Sequence, residues 1–144
     1  MGVVVRTKRV SALRYRARER VVTLGELDAF LEEAVQQLRA EGAHGAPFAI
    51  YHGHVNDRSR SLVEVGMAAD DGDRTLPGGT VVYGLAGKEQ TAYAPIHEIY
   101  DAIARYIEDH GLRHNAPTRE LYVGRDHFTD EIEVIWPVDD MASQ

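Results

Sequence analysis

The sequence predicts an α+β fold: a duplicated strand–helix–strand–strand unit with pseudo-twofold symmetry, antiparallel sheets and a ligand cleft between the halves. Three observations carry this expectation. From Leu13 to Arg20, apolar residues alternate with arginine almost without a break, the period of a half-buried strand. Two stretches place apolar residues at helical spacing, and each stops at a glycine, Gly42 and Gly111. At an offset of 69 residues the two stretches superimpose: Phe30 falls on Ile99, Leu31 on Tyr100, Ala34 on Ile103 and Leu38 on Ile107. Glu64 falls on Glu133 at the same offset, and Pro47 on Pro117 with a slip of one.

The elements follow in order. Val3–Val5 and the stretch from Leu13 read as strand, with Leu13, Tyr15 and Ala17 on the core face and Arg14, Arg16, Arg18 and Arg20 facing outward. Thr23 caps the first helix, and Glu26 stands three residues on at the capping-box spacing. Strands follow over Phe48–Ile50 and Leu62–Ala68, joined by a polar turn at Asn56–Ser61. Asp70–Thr75 reads as an acidic surface loop, and Pro77-Gly78-Gly79 as a turn before a strand at Thr80–Leu85. The second helix starts near Pro95. Strands at Arg119–Val123 and Glu131–Val138 close a single domain of 144 residues, with repeat one at about 1–69 and repeat two at about 78–138.

Composition removes several classes. No apolar run approaches the ~20 residues that span a bilayer, and the Arg-rich start lacks the apolar segment and cleavage site of a secretory signal. The chain has no cysteine, so disulfides, thiolate metal sites and cysteine nucleophiles are excluded, and a cytoplasmic location is expected. Residues 1–20 hold seven basic side chains against Glu19, a local +6 within a net charge of −7, which leaves −13 for the rest. Because those arginines alternate as a strand, they make neither a targeting peptide nor a nucleic-acid arm.

Candidate chemistry comes from carboxylates and aromatics. Parity pairs Ile132, Val134 and Trp136 on one face, and Leu121 with Val123 as core. That leaves Glu64, Glu120 and Glu133 on the sheet face the helices do not cover, with Tyr122 beside Glu120. Seven tyrosines against three phenylalanines supply flat apolar area with polar tips, suited to amphipathic ligands. His52-x-His54 sets two imidazoles on one strand face, but a third ligand at metal spacing is missing, so no metal or cofactor is expected. No phosphate-cradling glycine loop and no nucleophile elbow occur.

Tyr93-Ala94, His97 and Tyr100 opening a helix, Gly111 ending it, Glu120-x-Tyr122, and Glu133 before Pro137-Val138 together resemble the GyrI-like small-molecule-binding domain. That domain is the effector-binding fold of AraC- and MerR-type multidrug regulators, found also as a stand-alone protein. The resemblance implies a cleft for bulky, amphipathic, often cationic compounds. Glu120 occupies its acidic position, Glu133 a second acid, and Tyr93, His97, Tyr122, Tyr51, Tyr15 and Trp136 join them as ligand-binding candidates. Two positions depart from the pattern. Glu98 replaces a glycine after the histidine, and Ile135 stands where many relatives have tryptophan, with Trp136 one residue later.

The function expected from the resemblance is a sensor or sequestering protein for amphipathic, cationic small molecules. The alternatives are a hydrolase of cyclopropane-containing natural products, with Glu120 activating water and Tyr93 polarising the leaving side, and a gyrase-interacting or haem-binding relative. A homodimer or a protein partner fits the same resemblance. Direct DNA binding is not expected, since no second helix lies close enough to the first for a helix-turn-helix and the acidic body repels phosphates.

Overall fold

The computed structural model describes residues 3–53, 59–87, 93–123 and 131–139. The elements are β1 (Val5–Val10), β2 (Leu13–Val22), α1 (Leu24–Ala40), β3 (His44–Tyr51), β4 (Ser61–Ala68), β5 (Arg74–Leu76), β6 (Gly79–Ala86), α2 (Tyr93–Asp109), β7 (Thr118–Tyr122) and β8 (Ile132–Pro137). They form two units, one of Ala12–Pro77 and one of Met1–Ser11 with Gly78–Gln144. Every strand pairing within either unit is antiparallel, so the class is α+β as expected. Neither helix is long and apolar enough to cross a membrane.

In the Ala12–Pro77 unit the strands run in the order β3-β4-β2-β5. The predicted capping box starts α1: the Thr23 N–H donates to Glu26 Oε1 at 2.9 Å, and the Glu26 N–H to the Thr23 carbonyl at 3.1 Å. At the other end the Gly42 N–H reaches the Arg39 carbonyl, and the Ala43 N–H reaches that of Leu38. This closing motif needs the left-handed φ of 96° that glycine adopts without strain. Between these ends Phe30, Leu31, Ala34, Val35 and Leu38 are buried on the helix, above Val63, Val65 and Met67 of β4. Each burial of a Phe, Leu, Val or Met side chain contributes about 1.5–3 kcal/mol, whereas an exposed ion pair contributes about 0–1 kcal/mol. The apolar stripe, not the arginine ladder, holds the helix down.

The arginine ladder corrects one expectation. Arg16, Arg18 and Arg20 stand opposite Met67, Val65 and Val63, so they share the face that α1 covers. Their stems run along the apolar face while their guanidinium groups snorkel out to the helix's own polar side chains. Arg16 and Arg18 reach Glu41, Arg18 also reaches Gln37, and Arg20 reaches Glu33 at 3.4 Å with its guanidinium 4.9 Å from the Phe30 ring centroid. Period two shows which residues share a face; it does not show where the helix lies.

In the other unit the strand order is β1-β6-β8-β7. Its helix, α2, has 17 residues like α1 and begins 69 positions later, at the offset read from the sequence. The last turn of α2 is closed in the same way, by the Gly111 N–H on Glu108 and the Leu112 N–H on Ile107. Ile96, Ile99, Ile103 and Ile107 are buried beneath it. Gly84 lets α2 approach β6: a Cβ there would stand 3.0 Å from Ile99 Cγ2. β6, α2, β7 and β8 thus repeat the strand–helix–strand–strand plan of β2, α1, β3 and β4. The first strand, β1, pairs with β6. The stretch read as a loop after Asp70 includes a three-residue strand, β5, which pairs with β2. Half of the turn expected at Asn56–Ser61, residues 56–58, lies outside the described residues.

Candidate functional site

Cross-strand register decides which side chains can meet. Glu120 stands opposite Val134, and Val134 opposite Gly84, so Glu120 shares the face covered by α2. Tyr122, opposite Ile132, lies on the same face, as does Trp136 two residues beyond Val134. This overturns the parity assignment. Leu121 and Val123 are not core: Val123 is 37% exposed, and Leu121 stands opposite Glu133 on the other face. Glu120, at 9% exposure, and Tyr122, at 4%, are the buried pair of β7.

Burial of a carboxylate requires donors. Tyr100 of α2 donates its hydroxyl to Glu120 Oε2 at 2.5 Å, and Tyr122 donates to Oε1 at 2.9 Å. The Tyr100 ring meets the indole of Trp136 edge-on at 6.2 Å, and the His97 ring at 6.4 Å. His114 stacks on the indole at 4.8 Å with 26° between the rings. Burial pushes the His114 imidazole below its ordinary value and so favours the neutral ring, against a smaller opposing effect of the bond at the Ala116 backbone. The indole Nε1 of Trp136 is buried and has no hydrogen-bond partner among the described residues. The assembly is a carboxylate walled by aromatic rings, all within one unit.

Glu133 and Glu64 each meet a cationic side chain. Glu133 accepts from Lys8 Nζ at 2.5 Å, and that ammonium sits 4.3 Å from the Tyr83 ring centroid. Glu64, 5% exposed, lies on the face of β4 away from α1. It accepts from the Tyr15 hydroxyl at 2.6 Å and from Arg74 Nη1 at 2.8 Å, and His52 Nε2 lies 3.1 Å away. Arg74 also reaches Glu19 at 2.9 Å. Burial works against ionisation of Glu64, but the bonds from Tyr15, Arg74 and His52 outweigh it and hold the carboxyl below its usual range. Burial, then the bond to Glu64, pushes the Tyr15 phenol well above its usual range.

These shifts bound the stability window. Glu64 stabilises the fold above the unfolded glutamate value, and that contribution drains away as pH falls through the lowered one. Tyr15 runs the other way: its contribution is complete below the ordinary phenol value of about 10 and is lost as pH rises past it. Urea midpoints are expected to be flat near neutrality and to fall at both ends. Tyr15→Phe should flatten the alkaline fall, and an unchanged alkaline limb in that variant would refute the assignment.

The predicted residues therefore separate. Glu120, Tyr122, Trp136 and His97 gather around Tyr100. Tyr15 joins Glu64, and Glu133 joins Lys8. Tyr51 ends β3 opposite Val63, on the α1 face. Tyr93 opens α2, and its side chain lies outside the described residues, as does His54. Sequence reasoning did not assign Tyr100, His114, Arg74 or Lys8 to a site. Tyr100 carried a signal, since a phenol stands where the repeat has Leu31, and a buried hydroxyl calls for a partner.

The α+β fold that the sequence resemblance implied is shared with several solved structures at low sequence identity. Solved structures sharing this fold include the C-terminal domain of EcmrR, at 15% identity and a TM-score of 0.77 over 98% of this chain and 100% of that one. SAV2435 bound to tetraphenylphosphonium is similar at 12% identity and a TM-score of 0.66, over 98% of this chain and 97% of that one. A hydrolase from Listeria innocua is similar at 10% identity and a TM-score of 0.66, over 96% and 93%. No protein-family profile and no curated protein sequence matches the chain.

Proposed function

We propose that this protein binds amphipathic organic cations, as a sensor or sequestering domain, on the α2-covered face around Glu120. One observation carries the reading: a buried carboxylate held by two phenols, one of whose rings also packs on an indole. A delocalised cation costs little to desolvate, is attracted to aromatic faces and gains from a carboxylate beside them. The net charge of −7 favours the approach of cations. The fold shared with SAV2435, solved with tetraphenylphosphonium, supports the same ligand class.

The test pairs tetraphenylphosphonium with neutral triphenylphosphine oxide. The cation is expected to raise the melting temperature progressively with the logarithm of its concentration; a ligand at a hundred times its Kd adds about 2.7 kcal/mol. Glu120→Gln should weaken the cation about tenfold, or about 1.4 kcal/mol, and leave the oxide unchanged. Equal loss for both compounds would remove the electrostatic role. Turnover of a cyclopropane-containing substrate, abolished by the same variant with the fold intact, would replace binding with hydrolysis.

A further inference from the structure

Trp136 is the part of the site that binding of a bare cation does not use. An aromatic side chain can offer a ligand its π face or, in tryptophan, its N–H. His114 is stacked on the indole and Tyr100 meets it edge-on, so the protein's own rings already engage part of its π surface. Its Nε1 is a buried donor with no partner among the described residues. A buried donor left unpaired is costly, and native structures rarely retain one without a purpose. Tyr100 ties this donor to the carboxylate, because its hydroxyl is on Glu120 while its ring is on the indole. A cation beside Glu120 thus lies within one side chain's span of an unanswered N–H. Burial favours the neutral form of His114, which adds no repulsion.

We infer that the preferred ligand is a cation carrying a hydrogen-bond acceptor close to its charged ring, with the Trp136 N–H as the donor that selects for it. The inference rests on the reading of Glu120 as the cation's partner and adds the second point of recognition. A carbonyl or ether oxygen is the chemistry that fits. An alkyl group of the same size fills the space and leaves the donor unpaired.

The test uses a matched pair of aromatic cations, 1-benzyl-3-acetylpyridinium and 1-benzyl-3-ethylpyridinium, measured by titration calorimetry against the full chain. The acetyl compound is expected to bind about tenfold more tightly. It should also move the single indole N–H proton resonance downfield, which the ethyl compound should not do. Trp136→Phe keeps a ring in place but removes the donor, and should bring both compounds to the affinity of the ethyl one. Equal binding of the two by the unmodified protein, with both weakened by Glu120→Gln, would overturn the donor role while leaving the cation site intact. A preference that survives Trp136→Phe would overturn it too. If neither cation binds, the cation reading fails and the inference fails with it. Because the comparison in the unmodified protein needs no variant, poor folding of Trp136→Phe does not protect the proposal.

Discussion

Gly72→Ala is expected to destabilise the Ala12–Pro77 unit by about 3 kcal/mol, the upper end of ordinary overpacking costs. A Cβ at this position would stand 2.4 Å from the Tyr15 carbonyl oxygen, 2.6 Å from its carbon and 2.7 Å from its nitrogen. Those are backbone atoms of a strand paired on both sides, with Ala68 and with Arg74, so they have nowhere to retreat. Gly72 is also anchored itself. Its N–H donates to the Ala69 carbonyl at 3.0 Å, and its own carbonyl accepts from Arg14 Nη2 at 2.9 Å. The new methyl group must push β5 away from β2 and carry Arg74 off Glu64. In thermal melts this corresponds to a loss of about 10 °C for a chain of this size. Gly25→Ala is the control: nothing lies within 4 Å of its Cβ, and alanine in a helix should raise stability by about 0.5–1 kcal/mol. Equal melting temperatures for both variants would refute the packing argument.

Removing Arg74 is expected to cost about 2 kcal/mol, less than the usual 3–5 kcal/mol for breaking a buried pair. The discount has two sources. Arg74's own side chain is 35% exposed, and Tyr15 and His52 still meet the carboxylate after the guanidinium has gone. Denaturant curves for Arg74→Ala, Glu64→Gln and the double variant check this through a double-mutant cycle. Once the buried charge is gone, the guanidinium has less to neutralise. The double variant should therefore lose less than the sum of the two single losses. Simple additivity would mean that the pair is not coupled.

How much of this was legible in the sequence depended on the range of the interaction. The capping box at Thr23 and Glu26 and the closing glycines of both helices are local, and the residues themselves state them. The 69-residue offset is long-range, but repetition made it readable, and α1 and α2 match it in both length and position. Faces were harder to read. Alternation in β2 and β7 correctly grouped the arginines together and Glu120 with Tyr122. The side on which each helix packs depends on the strand connection and crossover, which no residue encodes alone. For that reason the arginines were placed facing outward and Glu120 on the uncovered face. Arg74 was missed for a related reason: it lies in a three-residue strand that exists only because β2 lies alongside to pair with it. Tyr100 shows what the repeat had to offer beyond fold, since its departure from Leu31 marks where the second helix gained a polar partner.

One consequence follows from the position of the only tryptophan in the chain. Excited at the red edge of its absorption, where tyrosine absorbs little, the protein emits from that single indole, and the indole is stacked on His114 and packed against Tyr100. Protonated imidazole quenches indole emission where neutral imidazole does so far less. The intensity should therefore drop as acid titrates His114, at a pH below that of an ordinary histidine. Emission intensity then reports the charge state of the stacked ring from a chromophore the protein already carries.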